Sequence, residues 1–441
     1  MNGVTLRQKT ANRIVTVIIL VGLASVVMLS PVASMGESGA EVTFCLGFIL
    51  LFAYYLARIL KDLRLPVISS YIFAGVICGP YVLNLLSAGV VRELQLFDDV
   101  ALALIALMAG GEMKIAVIKE KKSAFFSVIG AQVVLSFLGA MLVIVLMSGH
   151  IDFLAGKGME VVIAVGLLFG LVTAARSPST TIGVITETRA RGPLTELLIG
   201  VTVILDVIIL VLVAFVLPLS RALVEPGVSF SLSFVRELSV EIFGSIGFGL
   251  LFGMIIGSYV KFVKGFLPVF LIGIGFVGSI ICRHLHLEPL LAFMIAGFVL
   301  ENFSELGDDL LKALQRSSFP VYVIFFAISG ASINIDALRA MWMLAIVLVV
   351  VRALAFWGGS VFASRVSEHV RPYANSMWLG FLPQAGVTIG IAVLAERRLP
   401  WGGEIKAIIL AVVAINQLIG PIVLKFLLER KGEAGKAGYG S

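Results

Sequence analysis

The chain has 441 residues, of which 59% are hydrophobic and only 14% carry a charged side chain. Soluble domains carry about a quarter charged residues, so this composition excludes a chain of soluble domains and predicts an integral membrane protein. The net charge of +6 is then expected to lie mainly in loops on one side of the membrane.

Fourteen apolar stretches are long enough to cross the hydrocarbon core of a bilayer. In chain order they cover residues 14–34, 41–60, 66–87, 95–113, 122–148, 159–187, 194–219, 236–260, 266–283, 287–303, 317–333, 339–364, 374–396 and 403–428. The first stretch has a basic start, so two interpretations stay open for 14–34: an extra N-terminal helix or signal anchor, or a cleaved signal peptide.

The distribution of Lys and Arg predicts the orientation of these spans. With a cytoplasmic N-terminus, 22 of the 33 basic residues fall in cytoplasmic segments, 8 in outer loops and 3 within spans. Because basic residues are enriched in cytoplasmic loops, this bias favours fourteen spans in that orientation. We therefore expect a multi-pass protein of the plasma (inner) membrane, with both termini cytoplasmic if the first helix is retained, and no nucleic-acid partner.

Without the first stretch, the remaining spans form two sets of six separated by a single helix. The odd helix between them places the second set in the opposite orientation, as in transporters built from inverted repeats. The predicted organisation is a first inverted repeat at 41–220, a linker helix at 236–260, a second inverted repeat at 266–428 and a short cytoplasmic tail at 429–441.

The fifth span of each repeat contains polar residues and a proline. In the first repeat the interruption reads Arg176-Ser177-Pro178, and in the second it includes Pro383 and Gln384. Proline removes a backbone donor, and the polar side chains are costly in contact with lipid. Two interrupted helices at matching positions predict a transport site between the repeats.

Ionisable residues within the spans are candidates for that site. Asp206 lies near the middle of its span, where an acid is expensive unless it is paired, hydrated or protonated, so it can exchange a proton for a metal cation. Arg352 is expected to be a fixed counter-charge, either as counter-ion to an acid or as support for the carbonyl ends of a broken helix. Arg176 and Glu196 are candidates for the ion path, and Glu196 can also be read as an interfacial acid.

Oxygen atoms near the first interruption are the expected cation ligands, because hard cations prefer oxygen. The candidates beside Asp206 are Thr173, Ser177 and Thr180, with Gln384 from the second interruption. A single carboxylate holds either one proton or one monovalent cation, so the sequence predicts one-for-one, electroneutral exchange. No cofactor is expected.

Four motifs stand out along the chain: Tyr71-Ile-Phe-Ala-Gly75-Val-Ile-Cys-Gly79-Pro80, Leu107-Met-Ala-Gly-Gly-Glu112, Leu290-Leu-Ala-Phe-Met-Ile-Ala-Gly297 and Phe325-Phe-Ala-Ile-Ser-Gly330-Ala-Ser332-Ile. They resemble motifs of monovalent cation:proton antiporters of the sodium/hydrogen exchanger type. Together they extend the resemblance over about 41–428, and their order and spacing are more specific than any one of them.

The resemblance implies an all-α fold of thirteen core helices with two crossed broken helices, here preceded by one extra N-terminal helix. It also implies a homodimer, with a dimerisation domain from the first three helices of each repeat and a transport domain from the last three. Asp206 falls at the family's essential acid, and Arg352 falls where the family has a basic residue. This chain departs from the family in having Leu205 before Asp206, and Arg176-Ser177-Pro178 where some members have Thr-Asp-Pro.

Two other functional classes remain as alternatives. A sodium-coupled transporter of organic or inorganic anions shares the inverted-repeat fold, and two arginines would suit an anion. A channel or a non-transporting regulator would show no proton flux coupled to a cation gradient. An enzyme is not expected, because no nucleophile and base are arranged for catalysis and no metal-ligand cluster is present in the sequence.

Overall fold

The computed structural model describes residues 15–19, 21–22, 25, 38–62, 65–224, 232–263, 267–304, 307–385 and 387–436. In these ranges the regular structure is helical throughout, which confirms the all-α prediction. Seven helical stretches in the same ranges are long and apolar enough to cross a membrane, and six further apolar helices are shorter. The chain is therefore a multi-pass membrane protein. Most of the predicted first span, 14–34, lies outside the described residues.

Fifteen α-helices of six or more residues are found between residues 38 and 430 of the described chain. They are α1 Ser38–Lys61, α2 Val67–Cys78, α3 Ala88–Gly111, α4 Ile115–Glu120, α5 Lys122–Met147, α6 Met159–Ala174, α7 Pro178–Thr188, α8 Pro193–Val224, α9 Leu232–Ser258, α10 Leu267–His284, α11 Pro289–Phe303, α12 Gly307–Ala331, α13 Ile335–Val366, α14 Val387–Arg398 and α15 Gly402–Arg430.

Two helix boundaries differ clearly from the predicted spans. The span predicted at 66–87 contains a helix that ends at Cys78, because Pro80 has no N–H to continue the helical ladder. The turn is closed by the N–H of Leu86, which donates to the carbonyl of Cys78 at 2.8 Å. Conversely, α12 begins at Gly307, ten residues before the predicted start at 317, because charged residues in its first turns mask the helix in a hydropathy profile.

Both predicted interruptions are present. Helix α6 ends at Ala174, residues 175–177 are not helical, and α7 begins at Pro178. In the second half a short 3-10 helix, Met377–Phe381, is followed by non-helical residues 382–385 before α14 begins at Val387. The two fifth spans are thus each divided into two pieces near their middle.

Helices from the two halves of the chain pack in reciprocal pairs: α2 against α12, α3 against α11, and α5 against α13. Glycines allow the first two pairs to approach closely. A Cβ on Gly75 would overlap the carbonyl oxygen of Ala327, and Gly330 is equally close to the backbone of α2. Gly110 and Gly297 likewise lie close to the backbone of the facing helix in the pair α3 and α11. Such contacts are typical of membrane helices, where small residues permit close backbone packing.

These pairs build two groups of helices. One group contains α1–α3 and α10–α12, with α9 packed along α11. The other contains α5–α8 and α13–α15, including both broken helices. We call them the α1–α3/α10–α12 group and the α5–α8/α13–α15 group.

The residues after α15 fold back onto the start of α8. The Glu433 carboxylate accepts hydrogen bonds from the backbone N–H groups of Leu194 and Thr195, at 2.9 and 2.7 Å, and from the Thr195 hydroxyl. A carboxylate at this position satisfies free N–H groups and complements the positive end of the helix dipole. The described part of the predicted tail thus fixes the N-terminus of the helix that carries Asp206.

Candidate functional site

The two unwound segments cross and bond to each other. The backbone N–H of Ser177 donates to the carbonyl of Pro383 at 3.0 Å, and the Gln384 side-chain amide donates to the carbonyl of Val172 at 2.6 Å. Pro178 suits the first position of α7, where no N–H is required. The crossing therefore places the ends of four short helical pieces in the interior of the α5–α8/α13–α15 group.

Arg352 binds the carbonyl ends at this crossing. Its Nη1 donates to the carbonyls of Thr173 and Ala175 at 2.5 and 2.6 Å, and its Nη2 donates to the carbonyl of Phe381 at 3.0 Å. The side chain is fully buried. The positive guanidinium complements the negative ends of α6 and of the 3-10 helix. Of the two expected roles this geometry is that of support for the carbonyl ends, and no ion pair joins Arg352 to Asp206 within the described chain.

Arg176 lies at the same crossing and is also buried. Its guanidinium stacks on the rings of Phe356 and Phe381, with 4.6 and 4.0 Å from Cζ to the ring centroids. Its Nη2 donates to the side-chain oxygen of Gln132. Among the described residues, Nε and Nη1 have no hydrogen-bond partner. Two buried cations thus lie beside the crossing, since Arg352 stacks on the Phe356 ring as well.

The predicted oxygen ligands are brought together, and most already bond to protein. The Ser177 hydroxyl accepts from the N–H of Thr180 and donates to its hydroxyl at 2.8 Å, so it caps α7. The carbonyl of Thr173 is held by an arginine, as described above. The side-chain oxygen of Gln384 accepts from Asn416 on α15 at 2.8 Å. The sequence analysis did not identify Asn416, although it is a polar residue in the apolar run of α15.

Asp206 lies at the depth of the crossing. The turn at 189–192 reverses the chain, so α8 runs back past α6, and the Ser220 hydroxyl donates to the carbonyl of Ala164 at 3.1 Å. Ten residues along each helix is about 15 Å. Counted from the contact between Ser220 and Ala164, residue 210 therefore lies level with Ala174 at the end of α6, and Asp206 lies about one turn beyond it. Its side chain is only 5% exposed. No hydrogen bond or ion pair connects Asp206 with another described residue, an unusual state for a buried acid.

Two further acidic residues, Glu196 and Glu288, bear on the role of Asp206. Glu196 forms an ion pair with the buried Lys121 at the start of α8, while its own side chain is 45% exposed, which is the geometry of an interfacial acid. Glu288, the residue before α11, interacts electrostatically with Asp206 from the other helix group. The sequence analysis did not identify Glu288, which is the second residue of the predicted span 287–303 and so lies at the edge of an apolar run.

Comparison with known proteins places these features in a family. Residues 47–430 match the family described as "Sodium/hydrogen exchanger, transmembrane". A curated relative from Methanocaldococcus jannaschii, named "Probable Na(+)/H(+) antiporter 3", is 25% identical over an alignment of 393 residues that covers 87% of this chain and 96% of the relative.

A solved structure supports the fold. The sodium proton antiporter MjNhaP1 from the same organism superposes with a TM-score of 0.61 at 17% sequence identity, covering 88% of this chain and 100% of that one. At this identity the likeness concerns the fold alone. Because the family match extends over most of the chain, this protein belongs to the sodium/hydrogen exchanger family of membrane transporters.

Proposed function

We propose that the protein exchanges a monovalent cation, Na⁺ or K⁺, for H⁺ across the membrane by alternating access, with Asp206 as the shared carboxylate. The observation that carries the proposal is the position of Asp206, which is buried in a membrane helix at the depth of the crossing and has no ion-pair partner among the described residues. An intramembrane acid is expensive, and binding either H⁺ or a metal cation offsets that cost. Exchange follows because the two cations compete for one group.

Oxygen atoms from the first broken helix complete the proposed cation site. Ser177 and Thr180 are the proposed side-chain ligands, because they lie at the crossing and their hydroxyls can reorient. Thr173 and Gln384 are second candidates, since each already bonds within the crossing. Arg352 acts as a fixed positive charge that holds the carbonyl ends.

The helix groups correspond to the two domains of an inverted-repeat transporter. We assign the α1–α3/α10–α12 group to a dimerisation domain, the α5–α8/α13–α15 group to a transport domain, and α9 to the linker. The reciprocal pairing of α2 with α12 and of α3 with α11 supports the repeat. In this proposal the protein has thirteen core helices, is a homodimer, and has its basic loops in the cytoplasm of a plasma (inner) membrane.

Alternating access requires the contacts between the groups to change. One such contact lies at the start of α2, where the Glu187 carboxylate of α7 accepts from the N–H groups of Val67 and Ile68 at 2.7 and 3.1 Å. Beside it, Lys425 of α15 donates to the carbonyl of Leu65 at 3.2 Å. We call these contacts the α2 latch, and it lies on the side assigned to the cytoplasm.

Replacing Glu187 by Gln should shift the balance between the two access states. An amide has one acceptor oxygen and no charge, so capping of α2 weakens by about 1–2 kcal/mol, a factor of about 5–30 in an equilibrium. We expect apparent cation affinity to change in opposite directions when measured from the two sides, using inside-out and right-side-out vesicles. Glu429→Gln is the matched control on the exposed end of α15, and equal affinities in the Glu187 variant and the control would contradict the latch.

Replacing Ser177 or Thr180 by Ala should weaken apparent cation affinity more than the maximal rate. Loss of one ligand oxygen is worth about 1 kcal/mol, or about fivefold in affinity. The cation dependence of proton flux in proteoliposomes gives both parameters. Thr181→Ala, which removes the next hydroxyl on α7, is the control. Unchanged affinity in both variants would remove these hydroxyls from the site.

Sodium-coupled anion transport is a second candidate, and one observation favours it. Two buried guanidinium groups lie at the crossing, and Arg176 keeps two nitrogen atoms without partners among the described residues. Cation-dependent proton flux in vesicles, compared with uptake of labelled carboxylate anions, separates the two functions. We expect proton flux without anion uptake.

A further inference from the structure

A buried glutamine on α5 connects α5, α13 and the unwound segment after α6 within the α5–α8/α13–α15 group. Gln132 is fully buried, and its side-chain amide nitrogen donates to the carbonyl of Phe356 and to the hydroxyl of Ser360, both at 3.0 Å and both on α13. These donor bonds orient the amide, so its oxygen faces Arg176 and accepts a hydrogen bond from it. Gly359 makes this approach possible, because a Cβ there would overlap the Gln132 side chain.

Gln132 supplies the one hydrogen bond that the Arg176 side chain makes to the described residues. The rest of that guanidinium lies against aromatic rings, and its Nε and Nη1 have no acceptor in the described chain. A buried cation is costly unless it is hydrogen-bonded, so the orientation of Arg176 depends on this single acceptor. Replacement of the acceptor should therefore release Arg176 rather than leave it in place.

Arg176 in turn lies between the two ends of the broken helix. The residue before it, Ala175, gives its carbonyl to Arg352, and the residue after it, Ser177, caps α7 and bonds to Pro383. Movement of Arg176 thus displaces the hydroxyls at the start of α7. Gln132 and Arg352 also occupy matching places: Gln132 is 22 residues after Gly110 at the α3–α11 contact, and Arg352 is 22 residues after Gly330 at the α2–α12 contact.

We infer that Gln132 is a positioning residue for the transport reaction: through Arg176 it holds the unwound segment between α6 and α7 in register with α13. The inference rests on the proposed function for the location of the cation ligands. It assigns to the first repeat a support on α5 that parallels the support of Arg352 on α13. Gln132 itself does not touch the transported ion.

Three substitutions test this role through the cation dependence of proton flux. Gln132→Met keeps the length but removes the acceptor, and we expect apparent KM to rise at least about threefold in protein that still elutes as a folded species. Gln132→Glu restores an acceptor for Arg176 and should return KM to within about twofold of wild type. Ser136→Ala, one turn along α5, removes a buried hydroxyl with no partner in the described chain and should leave KM unchanged.

A double-mutant cycle identifies Arg176 as the intermediary. If Gln132 acts through Arg176, the pair Gln132→Met with Arg176→Met should be no worse than Arg176→Met alone. Additive losses, or an unchanged KM in folded Gln132→Met, would overturn the inference. Should that variant not fold, Gln132→Asn, whose shorter side chain cannot reach Arg176, is used in the same cycle.

The cycle is independent of the identity of the proton carrier. It can be measured with any cation that supports exchange, whereas the role of Asp206 is tested by its own substitution. If Asp206→Asn still exchanges while the Gln132 cycle behaves as expected, the carrier assignment fails and the positioning role stands. If instead Asp206→Asn abolishes exchange and the Gln132 cycle does not behave as expected, the positioning role of Gln132 fails and the carrier assignment stands.

Discussion

Replacing Asp206 by Asn should abolish cation-dependent proton flux while the protein remains folded. The amide keeps the shape of the side chain but cannot take up and release a proton, so we expect a loss of at least about 100-fold in rate. Stability should be unchanged or higher, because the substitution removes a buried acid that has no ion-pair partner in the described chain. Proton flux and thermal unfolding of the purified protein measure the two effects.

A matched substitution separates this effect from general loss of acidic charge. Glu160→Gln removes an exposed carboxylate at the start of α6 and should exchange at the wild-type rate. Wild-type exchange by Asp206→Asn would show that Asp206 is not the carrier. Glu288 would then be the next residue to test, since it interacts electrostatically with Asp206, and it takes precedence over Glu196, which is paired with Lys121.

Replacing Arg352 by Met should both destabilise the protein and abolish exchange. The substitution leaves the carbonyls of Thr173, Ala175 and Phe381 without their donor in a buried site. Unsatisfied buried carbonyls at two helix ends should cost about 3–5 kcal/mol. We expect a lower unfolding temperature in detergent and no proton flux, with a smaller loss in Arg352→Lys, whose single ammonium cannot reach all three oxygens.

Arg365→Met is the control for Arg352, because it removes a guanidinium from the exposed end of the same helix. It should keep the wild-type unfolding temperature and rate. If Arg352→Met were as stable as this control, the hydrogen bonds to the carbonyl ends would not hold the crossing. A stable but inactive variant would instead favour a direct electrostatic role for Arg352 at the ion.

The sequence predicted the broken helices well, because their cause is local. Pro178 and Pro383 interrupt apolar runs beside polar side chains, and both interruptions are present. Helix ends were harder to predict. The end of α2 at Cys78 and the early start of α12 depend on turn geometry and on charged first turns, which a hydropathy profile does not detect.

The partners of the polar side chains depend on which helices meet. Arg352 was recognised as an unusual charge, but its contact with carbonyl ends rather than with an acid follows from the crossing. Gln132 is a polar residue in an apolar run, and Asn416 stands beside Gln417 in another; polar residues in such runs indicate buried hydrogen bonds but do not identify the partners. Glu288 could not be identified from its neighbours in sequence, since its relation to Asp206 arises only in the fold, where α9 packs against both α11 and α8.

Proton flux in proteoliposomes tests the central claim most directly. The purified protein is reconstituted with a quenched pH dye, and Na⁺, K⁺ and Li⁺ are added in turn, with and without an imposed membrane potential. We predict dequenching with at least one cation, and a cation gradient that follows the pH gradient alone, because one carboxylate carries one charge in either direction. Absence of cation-dependent proton flux would contradict antiport, and cation accumulation driven by potential at zero pH gradient would contradict a single shared carboxylate.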